Sequence, residues 1–247
     1  MKCISLMNRI DTKYCLPASR LGEFLSHCKE YYVQTSDGDI RLHRYDTLYY
    51  DTEEYHAYLM HQRAKAPRQK LRARCYVDGG GDCFLEIKNK TNRKRTKKKR
   101  VPLPEEFFED FAVCDKVREF AAGRSLWDID SLSPALRIGF KRITLVNREL
   151  NERVTIDTAL CFHNPRTGLD YDLSDLVVIE LKRDGNLPSR VQSILLEMRV
   201  MPTKFSKYCT GIILTTPGIR LNRFKERLIT LNKLLNGKLT NPAAGIA

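Results

Sequence analysis

No stretch of this chain approaches the roughly 18 consecutive apolar residues of a membrane-spanning helix. Its start, Met1-Lys2-Cys3-Ile4-Ser5-Leu6-Met7, is too short to form a secretory leader. The eight cysteines never come closer than eight positions, so there is no CxxC pair and no zinc-finger spacing. A chain of 247 residues can bury a core without disulfide staples, which makes reduced thiols in a cytosolic protein the expectation. His56 and His61 miss the i,i+4 spacing of a helical metal pair, no HExxH occurs, and no GxxxxGK[ST] phosphate loop is present. Negative charge is also scarce: 30 Asp and Glu stand against 43 Lys and Arg, a formal net charge of +13. These absences exclude a membrane span, a zinc finger, a zincin and a P-loop enzyme. They leave a basic globular protein whose partner is anionic: nucleic acid, lipid headgroup or polyphosphate.

The polar and apolar residues are ordered as an α+β chain. Pro17 opens a first helix carrying Leu21, Phe24, Leu25 and Cys28 on one face. Strands are expected near 46–51, 70–77 and 83–89, the last two joined through Asp78-Gly79-Gly80-Gly81-Asp82 as a hairpin. A helix is expected from about Glu105 to Ala121, then strands at 135–146, 153–160 and 176–181. Pro188 heads a helix through Val200, Thr210–Leu214 reads as a short apolar strand, and a last helix runs from about 218 to 235. No repeat and no long linker divides the chain, so residues 1–247 are expected to form one domain.

Charge sits on these strands two residues apart, and residues i and i+2 share a face. Arg72 and Arg74 point together with Lys70 beside them; Glu86, Lys88 and Lys90 share a face, with Leu85 and Ile87 on the other. Glu180 and Lys182 oppose Val177, Ile179 and Leu181, and Arg153 falls with Asp157. One strand of this kind is ordinary solvated surface. The set is mainly basic, however, and amphipathic helices are available to cover the apolar sides. Curling the sheet with helices outside leaves a basic interior, which makes sense as a wet tunnel awaiting a polyanion. The run from Arg93 to Arg100 stays open between a solvated or nucleic-acid-binding loop and a strand aligning Lys98 with Arg100.

Several segments, in order, resemble the VTC (vacuolar transporter chaperone) polyphosphate polymerase family of the triphosphate tunnel metalloenzymes. They are Arg9-Ile10-Asp11-Thr12-Lys13-Tyr14, Tyr50-Asp51-Thr52, Leu71-Arg72-Ala73-Arg74, Phe84-Leu85-Glu86-Ile87-Lys88, Val178-Ile179-Glu180-Leu181-Lys182 and Lys204-Phe205-Ser206-Lys207-Tyr208. The resemblance implies an eight-stranded antiparallel β tunnel, closed as a barrel, with a basic interior and helices packed outside. It implies Arg72, Arg74, Lys88, Arg142, Arg153, Lys182 and Lys207 as catalytic cations, with Lys13, Arg63, Lys90, Lys98, Phe140 and Ser206 binding substrate. Phe140 stands where the family often has Tyr, and Lys90 where eukaryotic relatives carry His. Glu180 would be the carboxylate for a divalent cation, Mn²⁺ or Mg²⁺. The first strand lacks the paired glutamates of the ExExK motif in the hydrolase and cyclase branches, which favours the polymerase branch. Without a regulatory inositol-phosphate-sensing domain, the chain resembles a stand-alone bacterial version.

The implied chemistry matches the residue types. Phosphoryl transfer needs in-line positioning and charge neutralisation more than covalent help. Arg forks grip oxygens at two points, Lys supplies point charges, and a hard cation takes one or two carboxylates with phosphate oxygens and water. The expected activity is transfer of the ATP γ-phosphoryl to a growing polyphosphate chain, releasing ADP. The expected setting is cytoplasmic, with ATP and polyphosphate as partners and a membrane protein as a further partner for export. A triphosphatase on the same tunnel and a noncatalytic nucleic-acid binder are the alternatives. The second is disfavoured because aromatics interleave poorly with the basic run.

Overall fold

Alternation of the kind seen in Leu85-Glu86-Ile87-Lys88 produces strands with one apolar and one charged face. A computed structural model describes residues 9–239 except 36–38, 65, 79, 92–95 and 186, and only the backbone of Arg9. Its strands are β1 (Arg9–Pro17), β2 (Tyr32–Val33), β3 (His43–Asp51), β4 (Arg68–Tyr76), β5 (Cys83–Lys90), β6 (Thr96–Pro102), β7 (Ser133–Val146), β8 (Glu152–Asn164), β9 (Leu169–Leu173) and β10 (Leu176–Asp184). Its helices are α1 (Leu21–His27), α2 (His56–Gln62), α3 (Asp115–Ala122), α4 (Arg190–Glu197), α5 (Lys207–Thr215) and α6 (Lys225–Leu234). None of them is long and apolar enough to cross a membrane.

The strands form one antiparallel sheet in the order β1-β10-β8-β7-β3-β4-β5-β6, with β2 on β7 and β9 on β8. The expected eight strands are those of this path, but the sheet is not closed into a barrel. Among the described residues, β1 and β6 do not pair. The outer edge of β1 is taken instead by the segment before α5: Tyr14 bridges Pro202, and the Thr203 N–H donates to the Lys13 carbonyl at 2.7 Å. The sheet still curls. Lys70 on β4 donates to the Ser206 hydroxyl at 2.8 Å and Lys13 on β1 to the adjacent Phe205 carbonyl at 3.3 Å, so the two halves of the path turn toward each other.

Three apolar clusters fix the layers. On one outer region, α1 and α4 cover Tyr14, Leu16, Ile156, Ile179 and Leu181 with Phe24, Val191, Ile194 and Leu195. On another, α3 and the loops before it cover Leu48, Tyr50, Leu71, Leu85 and Ile87. The third cluster corrects the expectation that helices pack only outside. Helix α5 lies on the same sheet face as Arg72, against Tyr49, Leu136, Ile138 and Phe162. Tyr208 through Thr215 are all buried, and Gly211 lets the backbone approach. A Cβ there would stand 2.5 Å from Leu136 Cδ2 and 2.7 Å from Phe162 Cδ1.

Other boundaries differ for local reasons. Thr210–Leu214 belongs to α5 rather than to a strand, its N-terminus capped by the Ser206 hydroxyl. The segment from Glu105 to Ala121 is broken into two 3-10 turns (Glu105–Phe107 and Phe111–Val113) before α3. Asp110 caps the second turn, and Cys114 is extended. The last helix begins at Lys225, after a 3-10 turn at Asn222–Phe224. Finally, Cys75 and Cys83 are joined by a disulfide, contrary to the expectation of reduced thiols. Their separation of eight places them directly opposite in the β4–β5 register, with Cα atoms 4.1 Å apart.

Candidate active site

The charged side of the sheet is organised by three carboxylates, each bridging two cations from different parts of the fold. Glu86 on β5 accepts from Arg72 on β4 through Nε at 2.9 Å and Nη2 at 2.7 Å, and pairs with Lys98 on β6. Asp157 on β8 accepts from Arg142 on β7 at 2.5 and 2.8 Å, and from Lys207 at the start of α5. Glu180 on β10 lies 3.1 Å from Lys182 and 3.9 Å from Lys13 on β1. Side-chain exposure separates them: Glu86 is 1% and Asp157 2% exposed, whereas Glu180 is 18% exposed and its ion pairs are longer. Glu180 is therefore the carboxylate with oxygens free enough to meet a ligand.

Burial alone would raise all three carboxylates, but their cations outweigh it. Arg72, Arg74 and Lys98 bring Glu86 to about 2. Arg142 and Lys207 hold Asp157, and Lys13 and Lys182 hold Glu180, well below the usual carboxylate range. The lysines report the opposite imbalance. Burial, reinforced by neighbouring cations, pulls Lys88, Lys98, Lys182 and Lys207 below their ordinary value. Among the described residues Arg74 makes one weak side-chain hydrogen bond, Nε to Thr47 at 3.3 Å; burial and Arg72 bring it down to about 10. The face holds more positive charge than its carboxylates neutralise, which is the condition of a polyanion site.

The remaining residues of the expected set lie as follows. Ser206 accepts from Lys70 Nζ at 2.8 Å while capping α5, so the helix start is tied to β4. Lys13 Nζ donates to the Phe205 carbonyl at 3.3 Å. Phe140 is buried and stacked on Tyr45 at 4.9 Å, with Lys207 4.8 Å and Arg142 5.3 Å from its ring centre. Arg153 lies opposite Lys182 in the β8–β10 register, and Lys90 opposite Arg68 and Thr96. Arg63 is exposed at the C-terminal cap of α2. Its neighbour His61 is the group facing the charges there: burial and then Lys70, Arg68, Lys88 and Lys90 depress its proton affinity.

The basic run is strand where it is described. Residues 92–95 lie outside the described set, and β6 aligns Lys98 with Glu86 and Lys88. Lys97 and Lys99 alternate to the other side and are exposed. Sequence reasoning assigned no site role to Glu86, Asp157 or Tyr49, and placed Lys70 only beside Arg72. Two-residue alternation already put the carboxylates on the charged face; their partners on other strands required the register.

Among the described residues, no three His, Cys, Asp or Glu side chains gather as a ready metal cage. A hard divalent cation would take Glu180 together with phosphate oxygens and water, and one partly exposed carboxylate fits that donor set.

A family model described as the VTC domain matches residues 8–216. No curated protein matches the chain. Among solved structures, a putative adenylate cyclase from Bacillus halodurans is 14% identical with a TM-score of 0.49, covering 81% of this chain and 94% of its own. A putative adenylyl cyclase from Hippeastrum, described as having a dominant triphosphatase activity, is 15% identical with a TM-score of 0.47, covering 82% and 94%. An inorganic triphosphatase is 11% identical with a TM-score of 0.34, covering 84% and 96%.

Proposed function

The chain belongs to the VTC domain family, and from that premise we propose that it is a phosphoryl-transfer enzyme acting on triphosphate as an ATP-dependent polyphosphate polymerase. The observation that carries this reading is the excess of crowded cations around three bridging carboxylates, with Lys88, Lys98, Lys182 and Lys207 all held below their ordinary proton affinity. A triphosphate relieves that repulsion. Arg72, Arg74 and Arg142 supply planar forks for nonbridging oxygens, and the lysines supply point charges along the chain. Holding donor and acceptor phosphates in line, with the developing charge already countered, is most of what this reaction asks of a protein. No side-chain nucleophile is needed, because a terminal phosphate oxygen of the acceptor attacks the γ-phosphorus and ADP leaves. A divalent cation at Glu180 would add charge neutralisation at the phosphate oxygens.

Water in place of the acceptor chain makes the same arrangement a triphosphatase. Asp11 and Lys13 on β1, in place of a paired-glutamate motif, favour the polymerase. The test is incubation with ATP and Mg²⁺ or Mn²⁺, measuring ADP and resolving products by gel. Long phosphate chains accompanying ADP support polymerisation. Equal release of ADP and inorganic phosphate without chains supports hydrolysis, and an absence of turnover with either metal overturns both.

A further inference from the structure

Tyr49 on β3 is 6% exposed and held from several sides. Its hydroxyl accepts from Arg72 Nη1 at 2.7 Å. Its ring stacks on Tyr208 of α5 with centroids 4.8 Å apart. The Tyr208 hydroxyl in turn donates to Asp51, whose carboxylate accepts from the backbone N–H groups of Thr52, Ala57 and Tyr58 at 2.9, 2.8 and 3.0 Å. The ring is thus fixed, and its oxygen is fixed against a guanidinium.

The charged and titratable groups facing Tyr49 come from three elements. Strand β4 presents Lys70, Arg72 and Arg74; β5 presents Glu86, bound to the same Arg72; α5 presents Tyr208. On the other side, β7 presents the apolar Leu136. A phenol has two lone pairs and one proton. One lone pair receives Arg72, and among the described residues the phenol's own proton has no acceptor. With three cations against the single Glu86 carboxylate on one side and hydrocarbon on the other, the oxygen is placed to carry negative charge.

We propose that Tyr49 is a proton-exchanging counter-charge for Arg72, ionised while the cation face is empty and protonated when triphosphate enters. The inference rests on the phosphate reading above and names a positioning residue for it. In the step, the incoming triphosphate oxygens share Arg72 and its neighbours, the phenolate loses its electrostatic support, and its O–H bond forms with a proton from solvent. That proton returns to solvent when the anion leaves. The acid–base balance supports the geometry: burial would raise Tyr49, yet Arg72, Lys70 and Arg74 outweigh it and bring the hydroxyl down to about 7. Because the protonated form is the one that accommodates the anion, triphosphate affinity should fall as pH rises through that value.

The test uses tripolyphosphate and the full chain. Near-ultraviolet titration of the free wild type should show a tyrosinate band appearing near neutrality. The band should be lost in Tyr49→Phe and kept in Tyr50→Phe, whose hydroxyl bonds the Phe108 carbonyl on the outer face. At mildly alkaline pH, tripolyphosphate should bleach the band, and calorimetry in two buffers should show proton uptake exceeding that of Tyr49→Phe by up to about one proton per site. The pH dependence of affinity should flatten in Tyr49→Phe. If Tyr49→Phe fails to fold, the wild-type band with and without tripolyphosphate still decides. A wild-type band rising only in the ordinary tyrosine range, or binding with no extra proton uptake, overturns this inference alone. If tripolyphosphate does not bind, the phosphate reading falls and this inference falls with it.

Discussion

Lys207, the first residue of α5, is bonded to Asp157 on β8, 50 positions earlier in the chain. The same carboxylate holds Arg142, so one residue sets the distance between a helix start and a strand guanidinium. The cations proposed to bind substrate are therefore positioned by carboxylates that need never touch it.

This pairing separates two neighbouring arginines. Arg72 is locked to buried Glu86, and its loss leaves Glu86 with Lys98 alone, while Arg74 is crowded by like charge. Arg72→Ala should therefore lower stability by about 3 kcal/mol as well as weakening triphosphate binding. Arg74→Ala should weaken binding with melting temperature unchanged or raised. Thermal melts and tripolyphosphate titration of both variants check the contrast, and equal destabilisation by the two would refute it.

Glu180→Gln keeps the side-chain shape and removes its charge. Metal-dependent turnover should fall at least tenfold, a loss of about 1.4 kcal/mol or more in the barrier. Metal-free binding of a nonhydrolysable triphosphate should persist or tighten, because Lys13 and Lys182 lose their counter-charge. Turnover that keeps its metal dependence in the Gln variant would remove Glu180 from the site.

Acid should expose the Glu86 contribution. Its folded value of about 2 lies below its ordinary 4.5, so the stability it contributes is full above that ordinary value and is lost as pH falls toward 2. The gap in melting temperature between wild type and Glu86→Gln should thus be widest above pH 4.5 and close in stronger acid. A gap constant across that window would mean that Glu86 is not held ionised by Arg72 and Lys98.

Gly211→Ala tests whether the site depends on how α5 seats. Its added methyl would drive into Leu136 and Phe162, at a cost of about 1–3 kcal/mol. The displaced helix carries Ser206 and Lys207, so turnover should fall although the substitution touches no charged group. Circular dichroism melts alongside ATP turnover check this; normal turnover with a lowered melting temperature would uncouple α5 seating from the site.

The strands and their basic faces were legible because alternation is a local property: Arg72 with Arg74, and Glu180 with Lys182, follow from spacing alone. Helix α5 was not. Gly211-Ile212-Ile213-Leu214 is apolar and β-branched, and full burial on every side erases the helical period that would distinguish it from a strand. The Phe107, Phe108 and Phe111 spacing suggested one helix because the Asp110 cap and the extended Cys114 leave no mark on periodicity. The bridging roles of Glu86 and Asp157 and the Cys75–Cys83 bond depend on register between strands, and the failure of the sheet to close depends on where residues 202–203 lie.

Among the described residues, strand β6 pairs with β5 and with no other strand, which puts Thr96-Lys97-Lys98-Lys99-Arg100 at an edge of the sheet. A bare sheet edge invites another chain to add a strand and begin aggregation. Four consecutive cations oppose that docking by repulsion between copies, and Pro102 ends the strand without an N–H to offer. The segment that lends Lys98 to the charged face therefore also carries charge that disfavours edge-to-edge association. Neutralising Lys97 and Lys99 would endanger solubility before it affected any ligand.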